Sequence, residues 1–123
     1  MTYTVGVVGC GRWGLAHIRT LLKLKDSGFV DEVYACDIDA KRLKELPDGL
    51  DGCFTAWTEM CDSVSFDLIA LVTPNTTHVS LGKAILSRGL NVLIEKPLAN
   101  SPEGVKELIQ QADVSNGTLH SGY

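Results

Sequence analysis

Apolar residues in this chain gather in short runs, and between the runs they recur every three or four positions. The first habit belongs to a strand buried on both faces, the second to a helix with one buried side. Residues 5–8 predict a strand, and Leu15, Ile18 and Leu22 within residues 15–25 predict a helix after it. Asp26-Ser27-Gly28 stops that helix, with Gly28 suited to the turn beyond a helix end. A second strand is expected over 30–36. Asp39 then caps a short helix over 40–46, Pro47 terminates it, and Asp48-Gly49 marks a turn. Residues 53–56 predict a short third strand and 58–61 a turn of helix. The clearest buried strand is 66–72, interrupted only by Asp67.

The second half keeps the alternation. Thr73-Pro74 breaks the strand, and Asn75 is expected to cap a helix running to residue 88, with Leu81, Ala84 and Ile85 on one face and Gly89 ending it. Residues 91–94 predict a fifth strand, followed by Glu95-Lys96-Pro97. Ser101 caps the last helix with Pro102 at its first position, and Val105, Leu108, Ile109 and Ala112 form its apolar stripe. Asn116-Gly117 turns the chain into a final strand over 118–123. Strands alternating with helices predict an α/β fold, a doubly wound parallel sheet of about six strands in a single domain. Ligands of such sheets bind beyond the carboxyl ends of the strands, near the point where strand order reverses. Four segments would line that crevice: 9–14, 37–39, 73–78 and 95–97.

Composition changes this picture little. A chain of 123 residues with 45% hydrophobic and 21% charged residues suits one soluble domain. A net charge of −4 recommends neither nucleic acid nor an anionic membrane as partner. Cys10, Cys36, Cys53 and Cys61 lack metal-binding spacing and read as reduced thiols, no apolar run is long enough to span a bilayer, and the N-terminus lacks a charged-then-apolar signal peptide. A cytoplasmic protein without a metal site is expected.

The first crevice segment carries chemistry. Gly9-Cys10-Gly11-Arg12-Trp13-Gly14 lies between a strand and a helix, the order of the dinucleotide-binding (Rossmann) fingerprint. Gly9 would allow the tight turn, Gly11 the approach of a pyrophosphate, and Gly14 the close packing of helix on strand. Unpaired N–H groups at the helix start favour the phosphates. Asp37, 23 residues after Gly14, stands near the offset of the acid that accepts from an adenosine ribose. A carboxylate there repels a 2′-phosphate, so NAD is expected over NADP; Lys41 and Arg42 would favour the opposite only if turned inward. Cys10, beside the helix start, is expected to carry a lowered thiol pKa unless its side chain turns into the core, and to be the thiol most shielded from alkylation by NAD.

Four segments together, Gly9–Gly14, Val33-Tyr-Ala-Cys-Asp37, Val72-Thr-Pro-Asn-Thr-Thr-His78 and Val92-Leu-Ile-Glu-Lys-Pro97, resemble the N-terminal domain of the glucose–fructose oxidoreductase, inositol dehydrogenase and MocA family. His120-Ser-Gly-Tyr123 is similar to that family's exit from its sixth strand, so the resemblance runs over essentially the whole chain. It implies that Thr73, Pro74, Asn75 and His78 run along the cofactor, that Ile38 follows Asp37 at the adenosine end, and that Glu95 and Pro97 shape the loop holding Lys96 at the nicotinamide. The matching family lysine contacts substrate and cofactor and helps move the hydroxyl proton. The resemblance also implies a second, substrate-binding domain, absent from these 123 residues, and a homo-oligomer. His17 reads as a packing or surface residue, and His120 is not taken for the catalytic histidine of that second domain. The expected function is the NAD-binding half of a dehydrogenase acting on a sugar, nucleotide-sugar or cyclitol. The alternative is a stand-alone dinucleotide-binding or sensing module without catalysis.

Overall fold

In a computed structural model that describes residues 3–122, the apolar runs pair into one six-stranded sheet, every neighbouring pair parallel. Its strands are β1 (Thr4–Val8), β2 (Glu32–Cys36), β3 (Gly52–Phe54), β4 (Leu68–Leu71), β5 (Val92–Glu95) and β6 (Leu119–Gly122). The helices are α1 (Arg12–Asp26), α2 (Ala40–Lys44), α3 (Trp57–Ser63), α4 (His78–Ser87) and α5 (Pro102–Val114). The strands lie in the order β3-β2-β1-β4-β5-β6, which reverses direction between β1 and β4. Register aligns Val8 with both Cys36 and Leu71, so the turns after β1, β2 and β4 emerge at one edge of the sheet. Tyr123, the end of the expected last strand, lies outside the described residues.

Strand periodicity divides the core in two. Val8, Cys36, Ile69, Leu71, Val92 and Ile94 face Met60 of α3, Ile85 and Leu86 of α4 and Leu108 of α5. Their alternates Val7, Ala35 and Ala70 pack with Ile18 of α1, with Leu43 and Leu46 along the margin. Small residues on the second side let α1 lie close to the sheet.

Local signals set most boundaries. Asp39 accepts a hydrogen bond from the Lys41 N–H at 2.9 Å, and Ser101 Oγ accepts one from the Gly104 N–H at 3.1 Å. Gly28, Gly49 and Gly89 all adopt positive φ where turns were expected. Two expectations are corrected. Asn75 does not cap α4; it opens a single 3₁₀ turn over Asn75–Thr77, and α4 starts at His78. Ile109 is not part of the buried stripe of α5, being 47% exposed, because Gly104 and Leu108 take the inward face. The short elements are displaced by a residue or more from the expected bounds, β3 beginning at Gly52 and α3 extending to Ser63.

Candidate cofactor site

Val8 ends β1 and the chain must reverse at once into α1, which needs a backbone conformation that only glycine adopts cheaply. Gly9 has φ 102° and donates its N–H to the Cys36 carbonyl at 2.8 Å. A Cβ on Gly9 would stand 2.6 Å from the Val72 carbonyl oxygen, so the turn leans directly on the end of β4, across the point where strand order reverses. A Cβ on Gly14 would meet the Gly9 carbonyl oxygen at 1.8 Å. Gly11 is different. The nearest group to a Cβ there is Arg42 Nη1 at 3.6 Å, leaving the backbone open toward the crevice. Among the described residues no side chain caps α1, and no acidic residue sits in its first turn.

Asp37 closes the same corner. Its side chain is only 5% exposed. Oδ2 accepts from the Cys10 N–H and Oδ1 from the Asp39 N–H, both at 2.8 Å. One carboxylate thus ties the glycine turn to the end of β2, using two of its roughly four acceptor positions. Arg42 Nη1 lies 3.6 Å from Oδ2, with its side chain 55% exposed. The sequence offered Arg42 as a solvated helix residue or an inward one; the structure turns it toward Asp37, and Ile38, next in the chain to Asp37, is exposed. Trp13 is 63% exposed at the start of α1, and the Arg12 guanidinium sits 5.5 Å from its ring centre.

Cys10 falls under the exception stated for its thiol. Its side chain turns into the core, 6% exposed, and Sγ donates to the Cys36 carbonyl at 3.4 Å. Burial, then the neighbouring Asp37 charge, pushes the thiol up from an ordinary 9.0 to about 12, and Cys36 is pushed up to about 12 in the same way. Neither is the reactive thiolate expected at a helix start. Brief alkylation near pH 8 should therefore label exposed Cys53 first and leave Cys10 and Cys36 unmodified, with or without NAD; peptide mapping checks this. Both thiols keep protons in the fold that the unfolded chain releases above pH 9, so their contribution is complete below pH 9 and is lost as pH rises toward 12.

On the other side of the reversal, Thr73, Pro74 and Asn75 follow β4, while Glu95 ends β5 and Lys96 and Pro97 follow it. Lys96 is exposed and makes no ion pair among the described residues. The Lys96–Pro97 peptide is cis. Its neighbours are held from both sides. Glu95 Oε1 lies 3.5 Å from His17 Nε2 of α1, a link between a helix and a strand that no local pattern announced. Pro97 is held by His78, whose ring lies 1% exposed beneath the two turns with its nitrogens on the carbonyl oxygens of Pro97 (2.8 Å) and Thr73 (3.0 Å). All four expected segments therefore emerge along the carboxyl edge of the sheet. A shallow depression between α5 and β6, lined by Ile109, Ala112, Asp113 and Leu119, lies far from this convergence. Among the described residues no cluster of His, Cys, Asp or Glu could hold a metal, and no helix is long and apolar enough to cross a membrane.

Fold and site together define a dinucleotide-binding α/β domain. The sequence model of the Gfo/Idh/MocA oxidoreductase family, NAD-binding Rossmann fold, matches residues 3–123, and the chain belongs to that family. It is 34% identical over 116 residues to inositol 2-dehydrogenase 4 of Saccharopolyspora erythraea, covering 92% of this chain and 33% of that protein. The crystal structure of myo-inositol 2-dehydrogenase from Lactobacillus plantarum superposes with a TM-score of 0.84 at 29% identity, over 99% of this chain and 36% of that one. GenD2 from gentamicin A biosynthesis, solved in complex with NAD, gives a TM-score of 0.86 at 27% identity, over 98% of this chain and 34% of that one. The chain thus spans about a third of the length of the curated relatives it matches.

Proposed function

We propose that this chain is the cofactor-holding domain of a dehydrogenase that moves hydride between NAD and a hydroxyl-bearing carbon of a sugar, nucleotide-sugar or cyclitol. The observation that carries the reading is the position of Lys96: exposed, flanked by two held residues, and in one row with the glycine turn and Asp37. The residues fit the dinucleotide. Gly11 leaves room where the pyrophosphate backbone would pass, and the start of α1 offers N–H donors to its oxygens. Asp37 keeps acceptor positions for ribose hydroxyls after its two backbone bonds. Ile38, Arg12 and Trp13 border the adenosine and phosphate end, while Thr73, Pro74 and Asn75 run toward the nicotinamide. NAD, when bound, supplies the ring that carries the hydride. Lys96 stands where a substrate hydroxyl would arrive, and its amine assists departure of that hydroxyl's proton. Residues beyond these 123 would position the substrate, so the isolated chain binds NAD without substrate-dependent turnover. The intact enzyme is read as a homo-oligomer of the cytoplasm, in keeping with four unpaired cysteines.

Calorimetric titration with NAD and NADP is the test. NAD is expected to bind more tightly, because the Asp37 carboxylate accepts from ribose hydroxyls and repels a 2′-phosphate. Asp37→Ser should weaken NAD binding and narrow the difference. Clearly tighter NADP binding by the unaltered chain would overturn the cofactor assignment.

A further inference from the structure

We propose that His78 is the positioning residue for Lys96, tethering the turn after β5 to the turn after β4 from beneath the crevice; this rests on the reading of Lys96 given above. A histidine buried to 1% exposure must have partners for its ring nitrogens, and here both partners are backbone carbonyls of crevice turns. A carbonyl oxygen only accepts, so each contact needs a proton on the ring, and a neutral imidazole has one. In this proposal that proton is assigned to Nδ1, donating to Pro97 across the 2.8 Å contact, with Nε2 lying 3.0 Å from the Thr73 oxygen.

His78 is suited to the task by its place in the chain. It is the first residue of α4, a ten-residue helix whose Ile85 and Leu86 are fully buried, so the ring is anchored in a rigid element. Beyond Pro97, Leu98 and Ala99 pack against the larger core cluster. Before Lys96, Glu95 contacts His17 of α1. The Pro97 carbonyl is the remaining point at which the turn could swing, and His78 occupies it. Lys96, with a long and mobile side chain, then starts from a fixed backbone.

The test separates the two ring nitrogens. Asparagine places an amide nitrogen near the position of Nδ1, and glutamine places one near Nε2. His78→Asn keeps a donor for Pro97, whereas His78→Gln keeps only one for Thr73. The 123-residue chain is titrated with NAD and with ADP-ribose, and the backbone amide resonances of Lys96 and Leu98 are followed in each variant. His78→Asn should bind NAD within about twofold of the unaltered chain and His78→Gln about fivefold more weakly, the loss of roughly one hydrogen bond. ADP-ribose affinity should be the same in all three, and only His78→Gln should move the two amide resonances. Equal behaviour of the two variants, in which bulk alone matters, would overturn the proposal. Should either variant fail to fold, nitrogen NMR of the unaltered ring decides: a proton on Nδ1 supports the tether, and a bare Nδ1 sinks it. If the unaltered chain binds NAD no better than ADP-ribose, the Lys96 turn is not at the nicotinamide and that reading fails, while the amide resonances still judge His78.

Discussion

Gly14→Ala is expected to destabilise the fold by about 3 kcal/mol or more, whereas Gly11→Ala, three residues earlier, leaves stability nearly unchanged and damages only cofactor binding. The added methyl at residue 14 would stand 1.8 Å from the Gly9 carbonyl oxygen and 2.7 Å from its carbon. Gly9 cannot retreat, because its own position is fixed at φ 102° against the Val72 carbonyl. Helix α1 must lift instead, taking fully buried Ile18 away from Val7, Ala35 and Ala70. Overpacking against flexible side chains costs about 1–3 kcal/mol; against rigid backbone the upper end applies. From a total stability of roughly 5–15 kcal/mol, that lowers Tm by about 10 °C or more. At residue 11 the methyl meets only Arg42 Nη1 at 3.6 Å, and φ of −71° suits any residue. Tm should stay within about 2 °C, while NAD affinity falls roughly tenfold or more because the pyrophosphate has lost its approach. Thermal melts and calorimetry on the two variants decide the matter, and a Gly14→Ala chain melting with the unaltered one would refute the packing account.

Much of this was legible in the sequence because strands buried on both faces leave nearly continuous apolar runs, and because glycine, Asp39 and Ser101 act locally. Cys10 shows where local reasoning stops. Its place beside a helix start was readable, but the direction of its side chain depends on the space next to Cys36, which tertiary packing sets. Ile109 fails for a related reason. Helices α4 and α5 approach at glycines, where a Cβ on Gly104 would stand 2.9 Å from Val79 Cγ2 and one on Gly82 would stand 2.7 Å from Leu108 Cδ2. A residue without a side chain adds nothing to an apolar stripe, so apolar spacing alone carries the buried face of α5 too far toward Ile109. The ties on the Lys96 turn were invisible for another reason. His17 and Glu95 are far apart in sequence, and His78 reaches Pro97 through a main-chain oxygen that every residue carries.

In the enzyme that carries this domain, Lys96→Ala should lower kcat by roughly 10²–10⁴-fold, the range of general acid–base catalysis, while NAD affinity of the 123-residue chain stays within about twofold. The separation follows from the geometry. On the proposed reading, cofactor contacts are spread over the glycine turn, Asp37, the Thr73 turn and the backbone of the turn after β5, whereas the Lys96 side chain is exposed beyond them without an ion pair among the described residues. Lys96→Arg distinguishes two ways the amine could act. Arginine keeps the positive charge but does not release its proton, so it rescues a purely electrostatic role and fails to rescue proton transfer. Failure to rescue is expected. The 123-residue chain should show no substrate-dependent reduction of NAD, because holding the carbinol carbon against the nicotinamide accounts for about 7–11 kcal/mol of such a barrier. Absorbance of reduced nicotinamide, followed with a panel of sugars and cyclitols, reads the turnover expectations, and calorimetry reads the affinity. Full activity in the Lys96→Ala enzyme would remove Lys96 from the mechanism, and steady turnover by the 123 residues alone would show that the substrate is positioned within them.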